Sequence, residues 1–115
     1  MGVVDHDIAG QLGEVAAVVP CGRLPITPRA LAVLRRAGAA VPADFVALAG
    51  STIALWGDPN RSEAEILAGV HEDIGDLCRD HTGHEQGHFL AACFDAEAFL
   101  GSWQDTLPFG RPLPS

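Results

Sequence analysis

The sequence predicts a small, mostly α-helical domain of about four helices with at most a short β-hairpin. Apolar residues recur at helical spacing in several stretches, and capping residues stand where those stretches begin. Of the 115 residues, 48% are hydrophobic, which is enough material for one core. We therefore expect a single compact domain over residues 1–107, followed by a proline-rich tail over residues 108–115. An α+β fold is the alternative if the hairpin forms.

Two helices are expected near the N-terminus. The first covers residues 5–17, where an aspartate at the start can accept hydrogen bonds from the free amide groups of the first turn. The second begins at Thr27, a capping threonine followed by proline at the first helical position, and continues through Arg36. Gly38 then ends it.

The next segment, residues 41–57, allows two interpretations. Two apolar runs on either side of a Gly-Ser pair fit a β-hairpin, and we favour a strand over residues 52–56. A proline and an aspartate near the start instead favour a short helix that ends at Gly50. Residues 45–49 therefore stay open between strand and helix.

The two longest helices come last. Ser62 and Glu65 form a capping box in front of an apolar stripe, which predicts a helix to about Asp80. The final helix runs from about His84 to Leu100 and is apolar on more than one side, so it is either central or faces a partner. Its alanines would let another helix approach closely. We expect the fold to be built around these two helices.

Charge and cysteine content narrow the classes of function. Fifteen acidic against seven basic residues give a net charge of −8, which repels nucleic-acid phosphates and anionic membranes. The three cysteines have no C-x-x-C spacing, as expected for free thiols in a reducing cytoplasm. No apolar run is long enough to span a bilayer. We expect a cytoplasmic protein without nucleic-acid or membrane partners, and the lack of lysine is typical of a high-GC bacterial genome.

A histidine-rich run over residues 80–88 contains the spacing H-E-x-x-H. On a helix, the rings of His84 and His88 would converge on one tetrahedral metal ion. Glu85 would then stand beside a metal-bound water as a general base. Over the five residues HEQGH the sequence resembles the zincin metallopeptidases. That resemblance implies a small zinc-dependent hydrolase acting on a small molecule or a peptide.

A zincin needs a third protein ligand, which this run does not supply by itself. Cys78 and His81 would share one stripe with Glu85 and His88 if the chain stayed helical through Gly83. A protein that binds a metal ion or a small molecule through this stripe, without catalysis, is therefore a second hypothesis.

The same run also has a purely structural interpretation. Thr82 and Glu85 stand three residues apart and can form a capping box at the start of the last helix, with no metal involved. The chain would then be a non-enzymatic acidic helical module. It would form a homodimer, or dock on another protein, through its Ala/Phe-rich last helix.

The zinc hypothesis predicts close to one equivalent of bound zinc per chain or per dimer. The substitution His88→Ala should abolish this zinc binding. Protons compete with the metal for imidazole, so affinity should fall below about pH 6.5. Elemental analysis of protein purified without a histidine tag measures the metal content. Metal-free protein whose thermal stability a chelator leaves unchanged would contradict the hypothesis.

Overall fold

A computed structural model of the chain describes residues 3–106, which contain six α-helices. These are α1 (His6–Gln11), α2 (Pro28–Arg36), α3 (Asp44–Ala47), α4 (Gly50–Leu55), α5 (Glu63–Asp80) and α6 (Gly87–Gly101). Among the described residues there is no β-sheet, and isolated parallel bridges join Val4 to Ile26 and Ala17 to Ala40. The predicted mostly α fold is confirmed, with six helices instead of about four. The tail predicted over residues 108–115 lies outside the described residues.

The larger buried cluster is centred on α2. Leu34 and Ala30 are completely buried and pack with Ala9 of α1 and with Ala39 and Val41, which follow α2. Partly buried side chains surround this cluster: Val4, Leu12, Val15, Val18, Ile26, Leu31 and Val33. Because α1 and the extended segments on both sides of α2 cover this helix, it is the best enclosed element of the fold.

The two longest helices are much less enclosed, so the expectation that the fold is built around them is wrong. No residue of α5 is buried, and α6 buries only Ala91 and Ala92. Ala92 packs in a small second cluster with Ala43 and Val46, near α3. The short helices α3 and α4 are too small to cover the apolar stripe of an 18-residue helix such as α5.

Helix starts follow the predicted caps. The Thr27 side chain accepts a hydrogen bond from the Ala30 amide at 3.2 Å. In the capping box of α5, the Ser62 amide donates to the Glu65 carboxylate at 2.8 Å, and Ser62 Oγ accepts from the Glu65 amide at 3.4 Å. The hydrogen bonds from Ser62 lower the pKa of Glu65. The stability that this cap contributes is therefore fully present at pH values above the ordinary pKa of a carboxyl group. It is lost as the pH falls through the lowered pKa of Glu65.

The first helix starts as predicted and ends early. Asp5 caps it by accepting hydrogen bonds from the amides of Asp7 and Ile8. The helix stops at Gln11, six residues before the predicted end at residue 17, because Gly13 adopts a left-handed conformation with φ +60°. The chain beyond it runs extended beside the residues that follow α2.

The strand favoured over residues 52–56 is wrong, since residues 50–55 form α4 and residues 44–47 form α3. This segment packs against α5, and within the described residues no strand pairs with it. At Gly50 the two helices lie close together, because a Cβ added there would stand 3.3 Å from a Val70 methyl group of α5. This packing against α5, which local sequence does not reveal, decides between the two interpretations.

A turn with two left-handed glycines separates α5 from α6. Residues 81–86 form turns, and Gly83 and Gly87 both have φ +80°. The last helix therefore begins at Gly87, three residues later than the predicted start at His84. Neither α6 nor any other helix within residues 3–106 is long and apolar enough to cross a membrane.

Replacing Gly83 by alanine tests whether the chain turns at this position or continues as a helix. Nothing lies within 4 Å of an added Cβ, so the cost is the left-handed backbone alone, about 1 kcal/mol of unfolding free energy. Gly10→Ala is the matched control, because Gly10 lies inside α1 with equally open space. The control should gain about 0.5–1 kcal/mol. Chemical denaturation measures both, and a stabilising Gly83→Ala would mean that the helix continues through this position.

Candidate functional site

The H-E-x-x-H motif does not lie on one helix. His84 and Glu85 fall in the turns before α6, and only His88 belongs to the helix. The predicted convergence of His84 and His88 on one helical face is therefore wrong. The left-handed backbone at Gly83 and Gly87 is the physical reason, because it ends helical geometry on both sides of the two residues.

Local contacts instead orient the histidine of the turn. His84 Nδ1 accepts a hydrogen bond from the Gln86 amide at 3.1 Å. Its ring also lies 5.9 Å from the Phe94 ring, at an angle of 44°. The His84 side chain is thus directed along its own turn and toward an aromatic residue of α6, and the contacts that fix it involve no carboxylate.

Arg35 of α2 holds the motif turn against the N-terminal core. Its guanidinium Nη2 donates to the Glu85 carbonyl at 2.5 Å. The aliphatic part of the Arg35 side chain lies beside Gly87. A Cβ added at Gly87 would stand 3.6 Å from Arg35 Cδ. His88 then lines a cavity of about 300 Å³ together with Arg35 and Phe89. The motif residues therefore help attach α6 to α2.

The predicted capping box of Thr82 and Glu85 is also wrong. Thr82 Oγ1 donates to the Cys78 carbonyl at 2.9 Å, so the threonine closes the end of α5. The N-cap of α6 is Gln86, whose side chain makes no capping hydrogen bond. Within residues 3–106, the exposed carboxylate of Glu85 makes no hydrogen bond or ion pair. No contact assigns it the role of a general base.

The stripe of Cys78, His81, Glu85 and His88 does not form, because it required a helix through Gly83. Cys78 is partly buried against the apolar cluster of Ala92. His81 is the C-cap of α5 and faces a different partner. In the part of the chain that the structure describes, no group of three or more His, Cys, Asp or Glu side chains is placed to hold a metal ion.

The partner of His81 is Asp95 of α6. The imidazole Nε2 lies 2.8 Å from the carboxylate Oδ2, and the histidine is only 5% exposed. Asp95 lies 14 residues after His81 and belongs to no motif with it, so the sequence alone does not predict this pair. The turn between the two helices brings Asp95 next to the C-cap of α5. This hydrogen bond ties the end of α5 to the middle of α6.

The C-terminal end of α6 and the turn after it carry an exposed aromatic surface, which we define as Phe99 and Trp103; these side chains are 67% and 63% exposed. Phe94 is 47% exposed, but the rotation per residue of an α-helix places it about 140° around the helix axis from Phe99. The rings of Phe99 and Trp103 meet edge to face, with centroids 6.4 Å apart. Ala98, also exposed, lies one helical turn after Phe94. The sequence indicated that this helix would be central or would face a partner, and its exposure shows that it is not central.

Other large apolar side chains are exposed in the described part of the chain, among them Leu55, Trp56 and Leu67. Such a surface is typical of chains that bury apolar area against a partner.

Comparison with known proteins does not assign a family, because no family model, no curated protein and no solved structure matches this chain. The function is therefore argued from the geometry of the described residues.

Removing the Asp95 carboxylate should loosen the attachment of α6. Asp95→Ala leaves the buried His81 ring without its partner, and we expect it to lower the unfolding free energy by about 1 kcal/mol. The control is Asp73→Ala, an exposed aspartate in the middle of α5, which should be neutral or slightly stabilising. Thermal and urea denaturation measure both. Equal stability of the two variants would show that the His81–Asp95 contact contributes nothing.

Proposed function

We propose that this chain is a non-enzymatic helical association module that forms a homodimer through the exposed aromatic surface of α6. One observation carries the proposal: a helix that is apolar on more than one side buries only two alanines, and Phe94, Phe99 and the following Trp103 stay in solvent. A helix with so wide an apolar surface is normally enclosed by protein. A second chain supplies that enclosure.

The composition of this surface suits a protein interface. Aromatic residues, with tryptophan foremost, are enriched in interface cores and contribute much of the binding energy. Ala96 and Ala98 are exposed beside the aromatic rings and would allow a second helix to come close. Large rings alternating with small side chains give a surface into which another helix can pack.

A second copy of the chain fits better than a charged partner. From Gly87 to Trp103 the acidic residues are Asp95 and Glu97, and the basic residues comprise neither lysine nor arginine. A nearly uncharged surface can face its own copy across a two-fold axis without strong repulsion.

The zinc-dependent hydrolase is the less favoured hypothesis. It depended on helical geometry over residues 84–88, and no contact within the described part of the chain replaces that geometry. The net charge of −8 argues against a nucleic-acid partner. The free thiols of Cys21, Cys78 and Cys93 are those of a protein adapted to a reducing cytoplasm, which is where we place the dimer.

The two tryptophans give a matched test of the dimer. Trp103→Ser removes a ring from the proposed interface and should weaken dimerisation at least about tenfold, as for an interface hot spot. Trp56→Ser removes an even more exposed ring, 80% accessible, from the end of α4 and should leave dimerisation unchanged. Analytical ultracentrifugation over a wide concentration range measures both. A wild-type chain that stays monomeric throughout would contradict the proposal.

Ionic strength separates a second copy from a basic partner protein. Two copies of an acidic chain repel each other, so added salt should strengthen the homodimer slightly by screening that repulsion. A complex with a basic partner would weaken with salt. The measurement is the dimer dissociation constant at low and high sodium chloride. Dissociation by salt would rule out an apolar contact between like-charged copies.

A further inference from the structure

A cavity of about 400 Å³ lies between α2, the segment that precedes it and the start of α3. Pro25, Ile26 and Leu31 contribute apolar wall, and Phe89 of α6 closes one side. Its volume is within the range of small-molecule sites, which are mostly apolar with a few placed polar groups. The cavity is separate from the exposed aromatic surface of α6 and is not needed for the proposed dimer.

The one charged side chain among its described lining residues is Asp44. Its Oδ2 accepts a hydrogen bond from the Leu24 amide at 2.8 Å, and its Oδ1 accepts from the Phe45 amide at 3.0 Å. Each carboxylate oxygen can accept a further hydrogen bond. The aspartate is therefore held in place by the backbone and still has capacity to bind a donor.

The backbone at the cavity wall is strained where it meets this carboxylate. Leu24 has φ +48°, and it is the only non-glycine residue with a positive φ within residues 3–106. A left-handed leucine persists only where its surroundings fix it, and such strained positions concentrate at ligand sites. Here the hydrogen bond to Asp44 fixes it. The wall of the cavity contains four prolines: Pro20, Pro25, Pro28 and Pro42. Because proline restricts the backbone, the cavity is formed before a ligand binds.

We propose that this cavity binds a small apolar molecule bearing a primary amine. The apolar part packs among the prolines and Leu31, and the ammonium group donates to the Asp44 carboxylate. Charge-assisted hydrogen bonds of this kind are stronger than neutral ones. The net charge of −8 also favours a cation over an anion in the cavity.

The test compares three ligands of similar size that differ in the head group: octylamine, octanol and octanoate. Each is titrated into the full chain by calorimetry, and amide chemical shifts locate the binding site. We expect octylamine to bind at least about tenfold more tightly than octanol, and octanoate to bind most weakly. The shifts should centre on Leu24, Leu31 and Asp44. Equal affinity for the amine and the alcohol, or no saturable binding of any of the three, would overturn the proposal.

Two variants assign the preference to one carboxylate. Asp44→Asn keeps an oxygen that can accept from the Leu24 amide and removes the charge, so the preference for amine over alcohol should disappear while octanol still binds. Asp73→Asn removes the same charge from the exposed face of α5 and should keep the preference. A preference that survives Asp44→Asn, or that is lost in both variants, would refute binding at Asp44. The ligand ranking in the wild-type chain decides the question if Asp44→Asn does not fold.

Discussion

The turn between α5 and α6 determines how the H-E-x-x-H residues are arranged. Left-handed glycines at positions 83 and 87 prevent one long helix. Because of that turn, His81 lies beside Asp95, and the H-E-x-x-H residues are divided between a turn and a helix. No residue of α6 from Phe94 onward is buried. The conformation of two glycines thus rules out the continuous helix that a shared face for His84 and His88 requires.

The packing of the chain is uneven. The N-terminal half encloses Leu34 completely, whereas α5 and α6 together bury only two alanines. Enclosure of apolar area is the main favourable term in folding, so the C-terminal half depends on few contacts of its own. A dimer through α6 would add apolar burial where the single chain has least of it. In the proposed dimer, association and folding of this half would be linked through mass action.

Sequence reasoning succeeded where structure is decided locally. The caps at Thr27 and Ser62 depend on residues three positions away, and both helices begin where those caps predicted. It failed where distant residues decide. The strand over residues 52–56 is a helix because α5 lies against it, and the enclosed core formed at α2 because extended segments cover that helix.

The candidate site shows the same division between local and distant information. A spacing of four residues predicts a shared face only on a continuous helix, and Gly83 was the residue that decided against one. Asp95 could not be assigned to His81 without knowing where the chain turns back. The broad apolar surface of α6, in contrast, was visible in its composition, and our proposal of a second chain depends on it.

The attachment of α6 through Arg35 has a consequence for how the molecule opens. The links between α6 and the rest of the described chain include the contacts of Arg35 at Glu85 and Gly87, the His84–Phe94 ring contact, the His81–Asp95 hydrogen bond and the small cluster at Ala92. No residue of the helix from Phe94 onward is buried, which implies that the helix can detach without unfolding the core around Leu34. Amide hydrogen exchange would then show two cooperative units, with the α6 amides exchanging well before those of α2.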